Sequence, residues 1–323
     1  MIDISCAFPA HPRLGAIARH AEQLGYVRCW TYDSPALYGD VWVACSEIAR
    51  STERIGFGPA VLVPGLRHPL VTASAIAQLD GMAPGRLAVA IGTGFTGRHA
   101  MGQRPYAWRS VRAYIETLRA LLRGERVEYE GALIAMIPSE GFLPERPIEV
   151  PILVGANGPL GLEVARELGD GVMSIGPGFP EFDWSAVLAF GTVLDEGEPL
   201  DSPRVIEAAG PALAVVYHGA YEADPAIVDS LPNGVAWREA LESIPIAERH
   251  LETHRDHLWR LTERDRAALD PSLLPLMTWT GSRAEIHERL VALGEQGATE
   301  ILYQPMGPDL ERELDAFMDA ARG

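Results

Sequence analysis

The sequence predicts an α/β protein with the (β/α)8 architecture of a TIM barrel. Short apolar runs alternate with amphipathic segments, eight such runs can be counted, and each is followed by a segment with helical spacing. Most of the runs are apolar throughout, as expected of parallel strands that are buried on both faces. No Ser/Pro-rich linker or charge block divides the 323 residues, so we predict a single domain over 1–323.

The first half of the chain shows the alternation most clearly. Leu14 to Leu24 carries apolar residues at helical spacing and ends at Gly25, a residue type favoured just after a helix. Another helix is predicted to begin at Pro69, because proline is favoured at the first helical position. The first four strands are predicted at Ile2–Phe8, Tyr26–Thr31, Ile55–Val63 and Arg86–Ile91.

The second half contains two excursions from the barrel. Residues 126–136 predict a hairpin that turns at Glu130-Gly131. Trp184 to Phe190 is predicted as the helix after strand six, and 222–275 as a mostly helical insertion between strands seven and eight. The last four strands are predicted at Ile152–Val154, Gly171–Ile175, Ala212–Tyr217 and Glu300–Gln304.

Composition excludes several functions. The net charge of −17 disfavours nucleic acid and anionic membranes as partners. All 27 basic residues are arginine, so aldolases that form a Schiff base, pyridoxal-phosphate enzymes and Walker P-loops, all of which need a lysine, are excluded. The arginine-rich usage is typical of a GC-rich bacterial genome. No apolar run is long enough for a membrane span and no signal peptide is recognisable, which predicts a cytoplasmic protein.

Three cysteines, Cys6, Cys29 and Cys45, are scattered among apolar neighbours. Their odd number and their spacing argue against a disulfide framework or a zinc site. We expect small, buried, free thiols.

Active sites of TIM barrels lie at the carboxyl ends of the strands. Glycine occurs at three of the seven strand ends considered, where it would let backbone approach a flat or phosphorylated ligand. The strand ends are Tyr32–Ser34, Val63-Pro64 with Arg67-His68, Gly92–Phe95, Gly155–Gly158, Gly176–Gly178, His218 and Gln304.

The segment Gly92–Gly97 matches the pattern G-x-G-x-x-G after a strand. A dinucleotide fingerprint should open a helix directly, whereas here a polar loop over 98–104 is expected. We therefore favour a barrel loop that faces a cofactor over a Rossmann motif. Arg67-His68-Pro69 is interpreted as a helix start.

His250, His254 and His257 would share one face of a helix. The favoured interpretation is a solvated polar face; the alternatives are contact with a substrate and, less favoured, a metal site. Of the functional alternatives we name His254 and His257 as candidate catalytic residues, and we predict no metal.

Motifs in the same order along most of the chain resemble the luciferase-like superfamily, and within it F420-dependent reductases related to methylenetetrahydromethanopterin reductase. Each motif is weak alone, and the set is specific for the superfamily. The motifs are Trp30–Pro35 with Tyr38–Asp40, Gly58–Val61, Leu66–Pro69, Leu79-Asp80 with Gly85-Arg86, Ile91–Gly94, Gly155–Pro159 with Gly169–Gly171, Gly281-Ser282 and Ala298–Glu300.

The resemblance implies which residues meet the cofactor ring. Asp33 would lie beside the deazaflavin and Ser34 at its edge; for Asp33, capping of the following turn is the alternative. A non-prolyl cis peptide at Ala60-Val61 would stand behind the ring.

The resemblance also implies contacts to the rest of the cofactor. Thr93 and Gly94 would line it, and Asn157 and Gly158 would offer backbone N–H groups to its phosphate at a helix start. Arg98 could meet the anionic tail, or belong to a solvated loop.

The implied activity is F420-dependent hydride transfer between deazaflavin and a small, hydrophobic organic substrate. An FMN-dependent monooxygenase and a non-catalytic flavin-binding barrel are the alternatives. The sugar-phosphate dehydrogenase branch has His where Ser34 stands and Glu where Phe95 stands, so oxidation of glucose 6-phosphate is not expected. The resemblance further implies a homodimer through the helices after strands two and three.

Overall fold

Strands and helices alternate along the chain, and glycine and proline mark many of their ends. The structure is a computed structural model that describes residues 2–323. The strands are β1 (Asp3–Phe8), β2 (Arg28–Thr31), β3 (Gly56–Pro59), β4 (Val89–Gly92), β5 (Val127–Tyr129), β6 (Ala132–Ile134), β7 (Ile152–Gly155), β8 (Gly171–Ser174), β9 (Ser185–Phe190), β10 (Val193–Leu194), β11 (Gly281–Ser282) and β12 (Glu300–Gln304).

The helices lie outside the strands. They are α1 (Leu14–Leu24), α2 (Val41–Ser51), α3 (Pro69–Met82), α4 (Phe95–His99), α5 (Trp108–Leu122), α6 (Pro159–Leu168), α7 (Pro203–Ala223), α8 (Pro225–Val228), α9 (Gly234–Glu242), α10 (Arg249–Thr253), α11 (Glu263–Ala268), α12 (Leu274–Met277), α13 (Arg283–Glu295) and α14 (Leu310–Arg322), with a 3-10 turn at Pro271–Leu273.

Eight parallel strands form a nearly closed barrel, which confirms the predicted fold. Their order in the sheet is β3-β2-β1-β12-β9-β8-β7-β4. Two isolated bridges, Phe57 to Leu87 and Leu62 to Ile91, bring the outer strands of this order together. The carboxyl ends of β2, β3, β4, β7 and β8 therefore form one continuous arc of the mouth.

Burial on both faces explains why the strands are apolar. All residues of β3, β4, β8 and β12 are buried. Small side chains such as Ala7, Ala88 and Ala90 fill the barrel interior around Trp30. The Trp30 indole N–H donates to Oε1 of the buried Glu300 at 2.9 Å, so the polar atom of this large ring has a partner.

Several local predictions are confirmed. Gly25 follows α1 with a φ of 93°, a conformation that favours glycine. His68 caps α3 and Pro69 is its first residue. The antiparallel strands β5 and β6 form the hairpin that turns at Glu130-Gly131. Cys6, Cys29 and Cys45 are free and buried. Within residues 2–323 none of the helices has the length and apolarity needed to span a bilayer.

The prediction for strand seven is wrong. Ala212–Tyr217 lies inside α7, and the seventh strand is β9, the segment that was predicted as a helix. The central part of α7 is buried almost without interruption from Ala208 to Ala214, so its sequence lacks the polar face that marks an amphipathic helix. The helical insertion consequently begins at Pro203, well before residue 222.

Candidate active site at the barrel mouth

Asp33 joins the ends of the second and third barrel strands. Its Oδ2 accepts a hydrogen bond from the Val63 backbone N–H at 3.1 Å, and both oxygens accept from Nη1 of Arg67 at 2.8 and 2.9 Å. Burial raises the pKa of Asp33 above its ordinary value, and the Arg67 guanidinium acts in the opposite direction. The carboxylate thus connects the ends of the neighbouring strands β2 and β3 and does not cap the turn that follows it. The residue that caps α2 is Asp40.

Val61 occupies a space that two glycines leave free. A Cβ on Gly92 would lie 2.9 Å from Cγ2 of Val61, and a Cβ on Gly155 would lie 2.5 Å from Cγ1. The two glycines are neighbours because β4 pairs with β7 in that register. The Ala60-Val61 peptide is cis, as the resemblance implied. Glycine at these two strand ends is therefore required by Val61, which the sequence alone did not indicate.

Gly94 continues the arc with a φ of 77°. A Cβ there would lie 2.4 Å from Cγ1 of Val63. Gly94 also caps the short helix α4, so the prediction that a polar loop follows the glycine motif directly is wrong. The helix α4 has only five residues, which is too short to show a helical periodicity in the sequence. The carbonyl of Thr93 accepts a hydrogen bond from the Tyr106 N–H at 3.0 Å.

Ser34 lies over α4. A Cβ on Gly97 would lie 3.1 Å from the Ser34 hydroxyl oxygen, so the loop after β2 packs closely on this helix. Arg98 donates from Nε to the Arg104 carbonyl at 2.6 Å, and its guanidinium carbon lies 3.9 Å from the centre of the Tyr106 ring. Arg98 is thus held within its own loop rather than fully solvated.

Asn157 and Gly158 form the start of α6. The Asn157 side-chain oxygen accepts a hydrogen bond from the Ile175 N–H at 3.0 Å, which links the ends of β7 and β8. Gly158 caps α6, no side chain bonds to the cap, and no atom lies within 4 Å of the position that its Cβ would take. Three large apolar side chains near these strand ends are exposed, those of Phe95, Leu160 and Ile175.

A cavity of about 580 Å³ lies beside this arc, between the end of β1, the loop before α2 and the insertion. Its lining includes His11, Tyr38, His257 and Trp259, and a second cavity of about 410 Å³ shares His11 and Trp259. The Tyr38 hydroxyl donates to the His257 carbonyl, so the barrel loop and the insertion are connected here. Sequence reasoning missed this region, although the same rule of strand ends, applied to β1, would have indicated His11.

The favoured interpretation of the histidines as a solvated face is wrong. His254 is 1% exposed and His257 is 5% exposed. The helix α10 ends at Thr253, and Asp256 and Leu258 have positive φ, so the chain leaves helical geometry and turns inward. His250 remains on the helix, half-buried beside Gly102.

Two of these histidines meet a third from α7. Nδ1 of His257 lies 3.2 Å from Nδ1 of His218 and 3.3 Å from Nδ1 of His254. Burial lowers the pKa of His218, although Asp265 beside it acts in the opposite direction, and burial with the two neighbouring rings lowers the pKa of His257 strongly. These two imidazoles are therefore neutral near neutral pH. His218 lies on α7 and not at a strand end as expected.

The chain is similar in sequence to a known protein family over most of its length. The chain matches the family model of the luciferase-like monooxygenases over residues 9–300. It is 25% identical over 307 residues to a 5,10-methylenetetrahydromethanopterin reductase of Archaeoglobus fulgidus, with 91% of this chain and 90% of that protein covered.

Two solved structures share the fold. The coenzyme F420-dependent tetrahydromethanopterin reductase of Methanopyrus kandleri has a TM-score of 0.68 at 20% identity, covering 98% of this chain and 97% of that one. The FMN complex of the oxygenating constituent of 3,6-diketocamphane monooxygenase of Pseudomonas putida has a TM-score of 0.60 at 15% identity, covering 98% and 97%. The chain belongs to the luciferase-like monooxygenase family, and it is an oxidoreductase that depends on a flavin or a deazaflavin.

Proposed function

We propose that the protein is an F420-dependent oxidoreductase that transfers a hydride between deazaflavin and a small, hydrophobic organic substrate. The observation that carries the proposal is the arrangement of Val61 over Gly92 and Gly155 on an arc that also exposes Phe95 and Ile175. Such an arc offers a flat, largely apolar face next to a cavity, which suits a tricyclic ring. The reductase of Methanopyrus kandleri is named as coenzyme F420-dependent, which supports the choice of deazaflavin.

The residues of the arc fit the parts of this cofactor. Val61 would contact the ring, with Ala60, Ser34, Thr93 and Gly94 around it. Asp33 would act mainly by fixing the end of β2 against Val63, because both of its oxygens are already bonded. When bound, the deazaflavin supplies the carbon that carries the hydride.

The start of α6 fits the phosphate of the cofactor. Asn157 and Gly158 expose backbone at the positive end of this ten-residue helix, and the space beyond Gly158 is open. Arg98 would approach the anionic tail from the other side, and its stacking on Tyr106 would limit the conformational freedom lost on binding. In a chain of net charge −17, such local positive groups are needed to hold an anion.

The adjacent cavity is the proposed substrate site. Tyr38 and Trp259 give it apolar surface, and His257 lines it as a neutral imidazole that can donate a hydrogen bond. We propose His257 as the catalytic residue that contacts the substrate. His254, which lies 3.3 Å away and is more deeply buried, would act by fixing the orientation of the His257 ring.

An FMN-dependent monooxygenase is the second candidate. The description of the family model and the likeness to the FMN complex of a Baeyer-Villiger monooxygenase favour it. The same arc would hold FMN, since the ring and the phosphate need similar contacts.

Titration of the purified protein with F420 and with FMN, followed by fluorescence quenching, tests the proposal. We expect F420 to bind at least about tenfold more tightly, a difference of about 1.4 kcal/mol. Tighter binding of FMN, or a yellow protein as purified, would favour the monooxygenase. Gly219→Ala, at a position of α7 where a Cβ meets no neighbour, serves as the control and should bind like the wild type.

A further inference from the structure

We propose that His218, His254 and His257 form a binding site for one divalent transition metal ion, of which Zn²⁺ is the natural example. The three rings meet between α7 and the turn after α10, behind the wall of the substrate cavity. The inference does not rest on the identity of the cofactor, because none of its contacts involves the arc around Val61.

The spacing of the nitrogen atoms fits an ion. Nδ1 of His257 lies 3.2 Å from Nδ1 of His218 and 3.3 Å from Nδ1 of His254. In a tetrahedral zinc site with Zn–N bonds of about 2.0–2.1 Å, neighbouring nitrogens are about 3.3 Å apart. The two distances from His257 therefore match the edge length of such a tetrahedron. The ligand atoms of all three residues lie within 4.8 Å of one another.

Hydrogen bonding alone leaves this cluster incomplete. An imidazole nitrogen carries either one proton or one in-plane lone pair, so Nδ1 of His257 can form a hydrogen bond with only one of its two neighbours. One buried nitrogen contact is then left unsatisfied, which is unfavourable in a site that excludes water. A cation that accepts all three lone pairs removes the deficit.

Two carboxylates lie near the Nε2 atoms of the rings, on the side away from the ion. Nε2 of His218 lies 3.3 Å from Oδ1 of Asp265, and Nε2 of His254 lies 3.4 Å from Oε1 of Glu222. A metal-bound histidine usually donates its second N–H to a carboxylate, which leaves the other nitrogen free to bind the metal. The two negative charges would also offset those of a divalent ion, although Arg264, 3.5 Å from Asp265, weakens this effect.

Asp265 is itself held in place. Its Oδ1 accepts from the Trp237 indole N–H at 2.8 Å, and its Oδ2 accepts from the Thr262 hydroxyl at 2.6 Å. The orientation of the His218 ring is therefore fixed by a buried, fully bonded carboxylate. Such rigidity is what a preorganised metal site requires.

A neighbouring set of ligands overlaps with this one. Nδ1 of His99 lies 2.9 Å from Oε2 of Glu222, and His254 faces the other oxygen of the same carboxylate. We assign the ion to the three histidines because they are the more deeply buried set and because two of them have a carboxylate on the outer nitrogen. Variants of His99 and His218 separate the two sets.

The experiment uses the full chain after removal of metals with a chelator. Calorimetric titration with Zn²⁺ should give one ion per chain and raise the melting temperature. Co²⁺ should give the visible absorption of a tetrahedral site. His218→Gln and His257→Gln should each weaken binding more than about 100-fold, which is beyond the 10–100-fold range typical of losing an outer carboxylate. His250→Gln, from the same segment but outside the cluster, is the matched control and should bind like the wild type.

Three outcomes would overturn the proposal. The first is a wild-type protein that binds neither ion, and the second is binding that survives His218→Gln but is lost in His99→Gln. If the glutamine variants do not fold, the histidine NMR signals of the wild-type protein decide: Zn²⁺ should perturb those of all three residues, and perturbation of fewer than three contradicts the site.

Discussion

Arg67 donates through Nη1 to both carboxylate oxygens of Asp33, at 2.8 and 2.9 Å, while its Nη2 reaches Oδ2 of Asp40 at 2.6 Å. Asp33 and its partner Arg67 are 34 residues apart in sequence and belong to two successive βα units. This ion pair fixes the mouth of the barrel where the second and third strands end. The stability of the arc that we assign to the cofactor therefore depends on it.

Arg67→Met should destabilise the protein by about 3–5 kcal/mol, because it leaves the buried Asp33 carboxylate without its cationic partner. Asp40→Asn, which removes the charge of the exposed partner but keeps a side-chain oxygen that can cap α2, should cost less than about 1 kcal/mol. Urea denaturation of both variants measures the two losses. Equal losses would show that the buried contact has no special weight.

Gly155→Ala should weaken cofactor binding, because the new Cβ would lie 2.5 Å from Cγ1 of Val61 and push this side chain toward the ring site. We expect a loss of at least about tenfold in affinity, or 1.4 kcal/mol. The double variant Val61→Ala with Gly155→Ala removes the clashing methyl groups and should recover part of the affinity. Losses that simply add in the double variant would show that Gly155→Ala does not act through Val61.

His257→Gln should lower turnover more than it lowers cofactor affinity, since His257 lines the cavity that we propose as the substrate site and not the arc. A loss of about 100-fold in turnover is expected if the imidazole donates a proton or hydrogen bond to the reacting group. His250→Gln should leave turnover unchanged. Steady-state kinetics measure the turnover, and a cofactor titration measures the affinity. If His257→Gln has the same kinetic constants as His250→Gln, His257 takes no part in the reaction.

Glu198 provides a pH-dependent contribution to stability. Its hydrogen bonds from Arg204 lower its pKa from 4.5 to about 2. The folded-state pKa is depressed, so the stabilisation is complete above about pH 4.5 and is lost as the pH falls toward 2. Glu198→Gln should therefore cost about 1–2 kcal/mol near neutral pH.

Denaturation midpoints of this variant and the wild type, taken between neutral pH and about pH 3, should converge on acidification. Glu196→Gln, which changes an exposed glutamate two residues away, is the control and should match the wild type at each pH. A difference for Glu198→Gln that does not change with pH would mean that the charge contributes nothing.

The barrel could be predicted because most of its strands are short apolar runs bounded by glycine, as at Ile152–Gly155 and Gly171–Ser174. The exception has a physical cause. The residues from Ala208 to Ala214 are buried on all sides, so their sequence does not distinguish a helix from a buried strand. The true seventh strand, Ser185–Phe190, follows Trp184, whose spacing with Val187 and Leu188 imitated a helical face.

The site could be predicted only where it follows local rules. Strand ends and the resemblance indicated Asp33, Val61, Gly94 and Asn157, which the structure places on one arc. Contacts between distant segments could not be predicted, as with His218 and His257, which are 39 residues apart. Their meeting depends on a turn with positive φ at Asp256 and Leu258, which local spacing does not reveal.

A crystal structure of the protein with bound F420 would locate the cofactor. We expect the deazaflavin ring to lie against Val61, between Ser34 and Gly94, with the phosphate at the start of α6 beside Gly158. Density for the ring in the cavity lined by Tyr38 and Trp259, with the surface around Val61 empty, would rule out this placement.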